Sequence, residues 1–214
     1  MTGGDNKETL SMVITDGMNA FERALKRLFD IVCSFLGLII LSPVFLVVYI
    51  RLLMQNEGSV IFKQERIGYK GKPFNIYKFR TMKVNSESGG EPVLAVKNDD
   101  RLTKVGKWLR EHHLDELPQL FNVLKGDMSF VGPRPERSYF IEKIRRENPD
   151  YDNVFKMRPG LTSMATIHNG YTDTMEKMLI RLDMDLEYLR TRSLWLDIKL
   201  IFTTFVYIVN GKKF

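Results

Sequence analysis

From Leu28 to Ile50 the chain reads LFDIVCSFLGLIILSPVFLVVYI, 23 residues whose single charge is Asp30. A run of that length suffices for a membrane-spanning helix, so any fold the chain adopts has to house it. Two features oppose a simple crossing. Arg23, Lys26 and Arg27 precede the run and Arg51, Lys63 and Arg66 follow it, and positive flanks at both ends keep both on the same side of a bilayer. Ser42-Pro43 then interrupts the run: proline removes one helix hydrogen bond and clashes with the preceding turn, while the serine hydroxyl can occupy a freed backbone group. The arms on either side, Leu28 to Leu41 and Val44 to Met54, fall short of a hydrocarbon core of about 30 Å at about 1.5 Å of rise per residue. The favoured reading is a re-entrant helix-break-helix dipping into one leaflet. A kinked single span and a buried core hairpin are the alternatives, and labelling access to the two flanks separates them.

The remaining chain has the makings of a packed domain. Of its 214 residues 44% are hydrophobic and 27% charged, enough to bury a real core. The net charge of +6 points to an anionic partner: lipid head groups, a phosphorylated substrate or nucleic acid. Basic residues interleaved with acids, and not lining one helix, speak against nucleic acid. Cys33 is the one cysteine, which excludes an internal disulfide and a Cys-rich zinc site and suits a reducing compartment. Residues 1–22 lack the pattern of a signal peptide and read as a loose, partly helical leader.

Ser59 to Met82 is two alternating runs joined by Lys70-Gly71-Lys72, a β-hairpin. Its second run ends in Lys78-Phe79-Arg80-Thr81, either a solvated strand edge or a phosphate-facing one. Lys83 to Lys97 reads as a loop. Asp99-Asp100 is placed to cap a helix carrying Leu102, Val105 and Leu109 on one face, with Trp108 beside it, to about His113. Glu136 to Asn148 reads as a charged surface helix, and Arg158 to Gly170 as a loop and short strand in which His168 is structural. Met175 to Leu189 places Met175, Met178, Leu179, Leu182, Leu186 and Leu189 at helical spacing, a core stripe. The last helix carries Trp195, Ile198, Phe202 and Phe205; Asp197 and Lys199 interrupt it as a span, leaving an interfacial amphipathic helix or a terminal core helix. The fold class expected is α+β and mostly helical: a leader (1–22), a re-entrant membrane hairpin (23–54), and a compact domain (55–214) with a small β-hairpin and amphipathic interfacial helices.

Within that domain HHLDELPQL, His112 to Leu120, sets Asp115 beside Glu116. Pro118 is expected to hold Leu117 extended and open a new helix, so that the two acids stand at a helix N-terminus where free N–H groups favour carboxylate. A plain cap and a catalytic pair are both consistent with that placement. Further on, GDMSFVGPRPE holds Arg134 between two prolines, which stiffen the backbone under a guanidinium suited to gripping phosphate, and Arg110 is a second candidate cation. Acids for a nucleophile or metal, with arginines for phosphate, make a phosphoryl-transfer constellation. No Walker loop or dinucleotide fingerprint is present.

These pieces together resemble the bacterial sugar transferases, the monotopic phosphoglycosyl transferases: KRLFD before an apolar run with SP, FKQERIGYKGKPFNIYKFRTM, LDELPQLFNVLKGDMSFVGPRPE, RPGLT, and a tail with Asp185, Tyr188, Ser193 and Asp197. The resemblance implies an enzyme of the inner (cytoplasmic) membrane, monotopic and facing the cytoplasm, that moves a sugar 1-phosphate from a UDP-sugar to a polyprenyl phosphate, usually undecaprenyl phosphate, and releases UMP. It implies Asp115 as the nucleophile of a covalent phosphosugar enzyme and Glu116 as its partner, the pair holding Mg²⁺. Arg134 is then the phosphate ligand, Arg110 a lipid- or substrate-phosphate ligand, Lys78 and Arg80 supports of the site, and Ser42-Pro43 the re-entrant break. Membrane lipids and a second copy of the chain are the further candidate partners. The chain departs from the family pattern at Ser163, Thr166 and His168-Asn169-Gly170, and without the extra spans of larger relatives it has the look of a minimal catalytic unit. The rival reading is a non-catalytic, membrane-anchored basic scaffold for acidic lipids or a glycosyltransferase partner, its acid pair only a cap.

Overall fold

The computed structural model describes residues 13–84, 86, 92, 99–170 and 172–210. The loop expected over Lys83 to Lys97 lies almost wholly outside the described residues. Helix α1 (Ala20–Ile40) begins at Asn19, whose side chain accepts from the Glu22 N–H while Glu22 answers the Asn19 N–H, a capping box that satisfies two orphan donors. It stops at Leu41. Ser42 donates to the Ile39 carbonyl at 2.7 Å, Pro43 occupies the first turn of α2 (Ser42–Leu53), and the two helices bend by 60°. Among the described residues no single helix is long and apolar enough to cross a membrane, and α1 with α2 reaches that length only as a bent pair. Phe21, Leu28, Phe35, Ile40, Leu46 and Val47 along the pair are exposed.

The opposite face of α1 carries polar groups inward. Asp30 accepts from Ser129 Oγ and the Phe130 N–H, both at 3.1 Å. Lys26 pairs with Asp197, which also accepts from Tyr188 Oη. Arg27 donates to the Val123 and Leu124 carbonyls at 2.6 and 2.8 Å, closing the end of the short helix α4 (Gln119–Lys125) as a cation at a helix C-terminus should.

The hairpin is as expected: β1 (Ile61–Ile67) pairs antiparallel with β2 (Pro73–Phe79), with Phe62 opposite Lys78 and Ile67 opposite Pro73. Phe79 packs with Val48 and Leu52 of α2 and Leu109 of α3 (Lys104–Glu111). A short parallel pair, β3 (Ser129–Val131) with β4 (Gly160–Thr162), lies under the Arg134 loop. The largest core cluster joins α5 (Ser138–Glu147) and α7 (Met175–Thr191) through Ile141, Ile144, Met178, Leu182, Leu186 and Leu189, so the stripe expected on the 175–189 segment is a core stripe. Helix α6 (Met164–His168) occupies part of what reads as loop, with His168 exposed at its end. On α8 (Leu194–Val209), Trp195, Ile198, Phe202 and Phe205 are exposed while Asp197 is buried. Helix α8 therefore packs Leu196, Leu200 and Ile201 on the core cluster while it keeps an apolar face exposed, and Asp197, which reads as an interruption, faces inward to meet Lys26.

Four local expectations are overturned. The leader is not loose over residues 13–19: Ile14 and Met18 are buried, Gly17 N–H bonds the Leu189 carbonyl at 2.9 Å, and Asp16 takes Arg192. Thr103, not Asp99 or Asp100, caps α3; Asp99 is drawn to its own near neighbour Arg101 at 2.5 Å. Leu117 is helical, at φ −51° and ψ −39°, despite the following proline. The chain is instead re-aimed at His113, which takes a left-handed φ of 55°. Glu136 is buried and precedes α5, so it belongs to no surface helix.

Candidate active site

The left-handed turn at His113 ends α3 and launches a single 3-10 turn, Leu114–Glu116, before α4. Neither acid caps α4, whose N-cap is Pro118 without a side-chain hydrogen bond. The plain-cap account of the pair fails there.

Asp115 is 6% exposed, and among the described residues no donor hydrogen-bonds its carboxylate. Burial, reinforced by the adjacent Glu116 charge, pushes the Asp115 carboxyl above its ordinary range against the pull of Lys78, Arg110 and His113. Burial alone would raise Glu116 too, but Lys78 and Arg134 outweigh it and hold that carboxyl well below the usual range. Two adjacent carboxyls are thus driven apart by their surroundings, the pattern of groups with different chemical duties.

Lys78 Nζ lies 2.6 Å from Glu116 Oε1 and Arg134 Nη2 lies 3.5 Å from the same oxygen. Lys78 reaches there because it stands on β2 opposite Phe62. The two cations are held unequally: the Lys78 side chain is 20% exposed and that of Arg134 47%. Lys78 is the fixed partner and Arg134 the one open to solvent. Arg110 enters by its field, since its Nε donates to Thr81 Oγ1 at 3.0 Å. The same Thr81 accepts, through its carbonyl, the Thr103 N–H at 3.0 Å, and Gly106 passes so close that a Cβ there would lie 2.0 Å from that carbonyl oxygen. That contact fixes α3, and with it Arg110, against the end of β2.

Arg134 rides on the β3–β4 pair. Gly132 N–H bonds the Thr162 carbonyl at 3.1 Å and Gly160 N–H bonds the Pro133 carbonyl at 2.9 Å, an approach close enough that a Cβ on Gly160 would meet Gly132 N at 2.2 Å. Of the six residues expected at the site, Asp115, Glu116, Lys78 and Arg134 are brought together, and Arg110 stands beside them. Arg80 is not: its Nε donates to the Ser59 carbonyl at 2.6 Å and its guanidinium lies over Phe62. Sequence reasoning assigned no role to Thr81, His113 or Glu136, although each lies in a segment already singled out: Lys78-Phe79-Arg80-Thr81, HHLDELPQL and GPRPE.

Among the described residues no group of three or more His, Cys, Asp or Glu side chains gathers as a metal cage. The donor set nonetheless fits Mg²⁺, which takes one or two carboxylates and completes its shell with water and substrate phosphate. Both cations engage Glu116 Oε1, which leaves Oε2 and the Asp115 carboxylate as oxygen donors.

Residues 21–211 match the family model described as bacterial sugar transferase. The chain is 47% identical over 189 residues to a UDP-glucose:undecaprenyl-phosphate glucose-1-phosphate transferase of Klebsiella pneumoniae, covering 87% of this chain and 40% of that protein. It is 40% identical over 187 residues to a UDP-N-acetylgalactosamine-undecaprenyl-phosphate N-acetylgalactosaminephosphotransferase of Aeromonas hydrophila, covering 87% and 44%. With a UDP-glucose:undecaprenyl-phosphate glucose-1-phosphate transferase of Caulobacter vibrioides it shares 40% over 181 residues, 84% of this chain and 67% of the relative. The match therefore covers less than half the length of the first two relatives. The family match over almost its whole length, on a structure that gathers the acid pair with its cations, makes this chain a member of the bacterial sugar transferase family.

Proposed function

We propose that the chain transfers a hexose 1-phosphate from a UDP-sugar to undecaprenyl phosphate or a related polyprenyl phosphate and releases UMP. The observation that carries this reading is the buried, donor-free Asp115 carboxylate beside a Glu116 that two cations share. An Asp115 oxygen attacks the β-phosphorus of the UDP-sugar, the bond from that phosphorus to the oxygen bridging the α-phosphate breaks, and UMP leaves with the electron pair. A phosphate oxygen of the polyprenyl phosphate then attacks the same phosphorus, the Asp115 oxygen–phosphorus bond breaks, and the carboxylate is regenerated. Two displacements let two anionic substrates use one nucleophile in turn.

Arg134, the exposed cation, exchanges its loose contact with Glu116 for the diphosphate. Lys78 stays, so Glu116 never becomes a lone buried charge, which would be costly. Mg²⁺ held by Glu116 and Asp115 would supply further positive charge to the phosphate oxygens. The exposed apolar faces of α1, α2 and α8 support a re-entrant seat in the inner membrane, with the acid pair at the cytoplasmic surface where a lipid phosphate and a soluble nucleotide both arrive. The test is UMP release in nanodiscs with undecaprenyl phosphate, Mg²⁺ and a panel of UDP-sugars, with intact-mass detection of the phosphosugar adduct. Release that depends on one sugar and vanishes in Asp115→Asn is the expected result. Turnover preserved in that variant overturns the nucleophile assignment.

A further inference from the structure

Glu136 lies two residues beyond Arg134 and is 6% exposed. Its carboxylate meets Arg181 Nη2 of α7 at 2.7 Å and Arg66 Nη1 of β1 at 3.4 Å. Its backbone carbonyl accepts the Ile67 N–H at 3.1 Å, and Arg66 Nη1 also donates to the Pro135 carbonyl at 3.3 Å. The loop bearing Arg134 is thus pinned at both ends: by β4 on the Gly132-Pro133 side, and by β1 and α7 on the Pro135-Glu136 side. Only the arginine between the pins is open to solvent.

The chemistry of the pin is unusual for a purely structural contact. The Arg181 side chain is 7% exposed and that of Glu136 8%, and a buried ion pair seldom adds stability over well-packed apolar side chains. Arg66 is poorly satisfied in the same place: its Nε is buried without an acceptor, and Arg134, Arg137 and Arg181 all crowd its charge. Glu136 is the carboxylate that Arg66 and Arg181 share behind the Arg134 loop. Without it, both guanidiniums would lose the carboxylate they share, and the Pro135-Glu136 end of the loop would lose its side-chain ties to β1 and α7.

We propose that Glu136 and Arg181 form a strut that fixes the reach of Arg134, making Glu136 a positioning residue for the diphosphate of the donor nucleotide. Glu136 touches no substrate and acts through Arg134. The inference rests on the reading of Arg134 as the phosphate ligand. A preorganised guanidinium loses less freedom on binding, so loosening the strut weakens diphosphate binding even where the fold survives.

The experiment is a double-mutant cycle on UDP affinity, measured by calorimetry on the full chain in nanodiscs with Mg²⁺, across Glu136→Gln, Arg134→Ala and the double variant. Arg181→Met serves as an independent cut of the strut from another helix, leaving Glu136 paired with Arg66, and thermal unfolding checks that each variant is folded. The expected result is a loss of UDP affinity of about tenfold in Glu136→Gln and in Arg181→Met, and no further loss when Glu136→Gln is added to Arg134→Ala. An equal loss in both backgrounds, or none in the single strut variants while Arg134→Ala weakens binding, overturns the strut. An Arg134→Ala variant that binds UDP normally overturns the reading of Arg134 itself, a distinguishable failure.

Discussion

The fold raises the Asp115 carboxyl above its ordinary range, because burial and the neighbouring Glu116 charge both oppose ionisation. A carboxyl whose pKa is raised on folding destabilises the native state as pH rises from the unfolded pKa through the folded one. Asp115→Asn removes that penalty. It is expected to cut UMP release by at least about a thousandfold while raising the melting temperature at pH 7 and leaving it little changed near pH 4, which thermal unfolding at the two pH values checks. Lys78 pulls the other way, and removing a cation raises the pKa of a neighbouring carboxyl. In Lys78→Met the acid limb of kcat/KM should accordingly move to higher pH, as a pH profile of UMP release reads directly.

At the scale of elements, what was legible in the sequence was what local pattern dictates. The break at Ser42-Pro43, the β1–β2 hairpin and the α7 core stripe follow from proline, alternation and helical spacing within one segment. The misreadings came where another partner, near or distant in sequence, overrode a single-residue rule. Asp99 abandons the capping role for Arg101, Leu117 is helical before Pro118 because the 3-10 turn carries straight into α4, and Glu136 is claimed by Arg66 and Arg181 from distant segments. The acid pair itself was visible as a pair, but its surroundings, above all Lys78 reaching from β2, needed the fold. Two element-scale outcomes follow. Gly106→Ala drives a methyl into the Thr81 carbonyl and should destabilise by about 2–3 kcal/mol, read as a lowered unfolding midpoint. Asp185 on α7 has a buried oxygen without a partner and is pushed up to about 7, chiefly by burial, with Glu136 adding and Arg181 opposing. Stability should therefore decline between about pH 4, the ordinary aspartate value, and pH 7, and Asp185→Asn should flatten that decline in a series of melting curves.

For the whole molecule, the bent pair α1–α2 and α8 present exposed apolar faces, the surfaces that the proposed function seats on a bilayer. Asn19 stands just before α1 and Asn56 just after α2, so cysteines placed there in a Cys33→Ser background are expected to react with an impermeant maleimide from the same side of sealed vesicles. Reaction from opposite sides would make the pair a crossing. Val48 and Leu52 of α2 are buried with Phe79 and Leu109, immediately behind Lys78 and the α3 turn that precedes the acids. Because Val48 and Leu52 pack on the end of the strand that carries Lys78 and on the helix that leads into the acids, a shift of α2 is transmitted to the acid pair through that shared core.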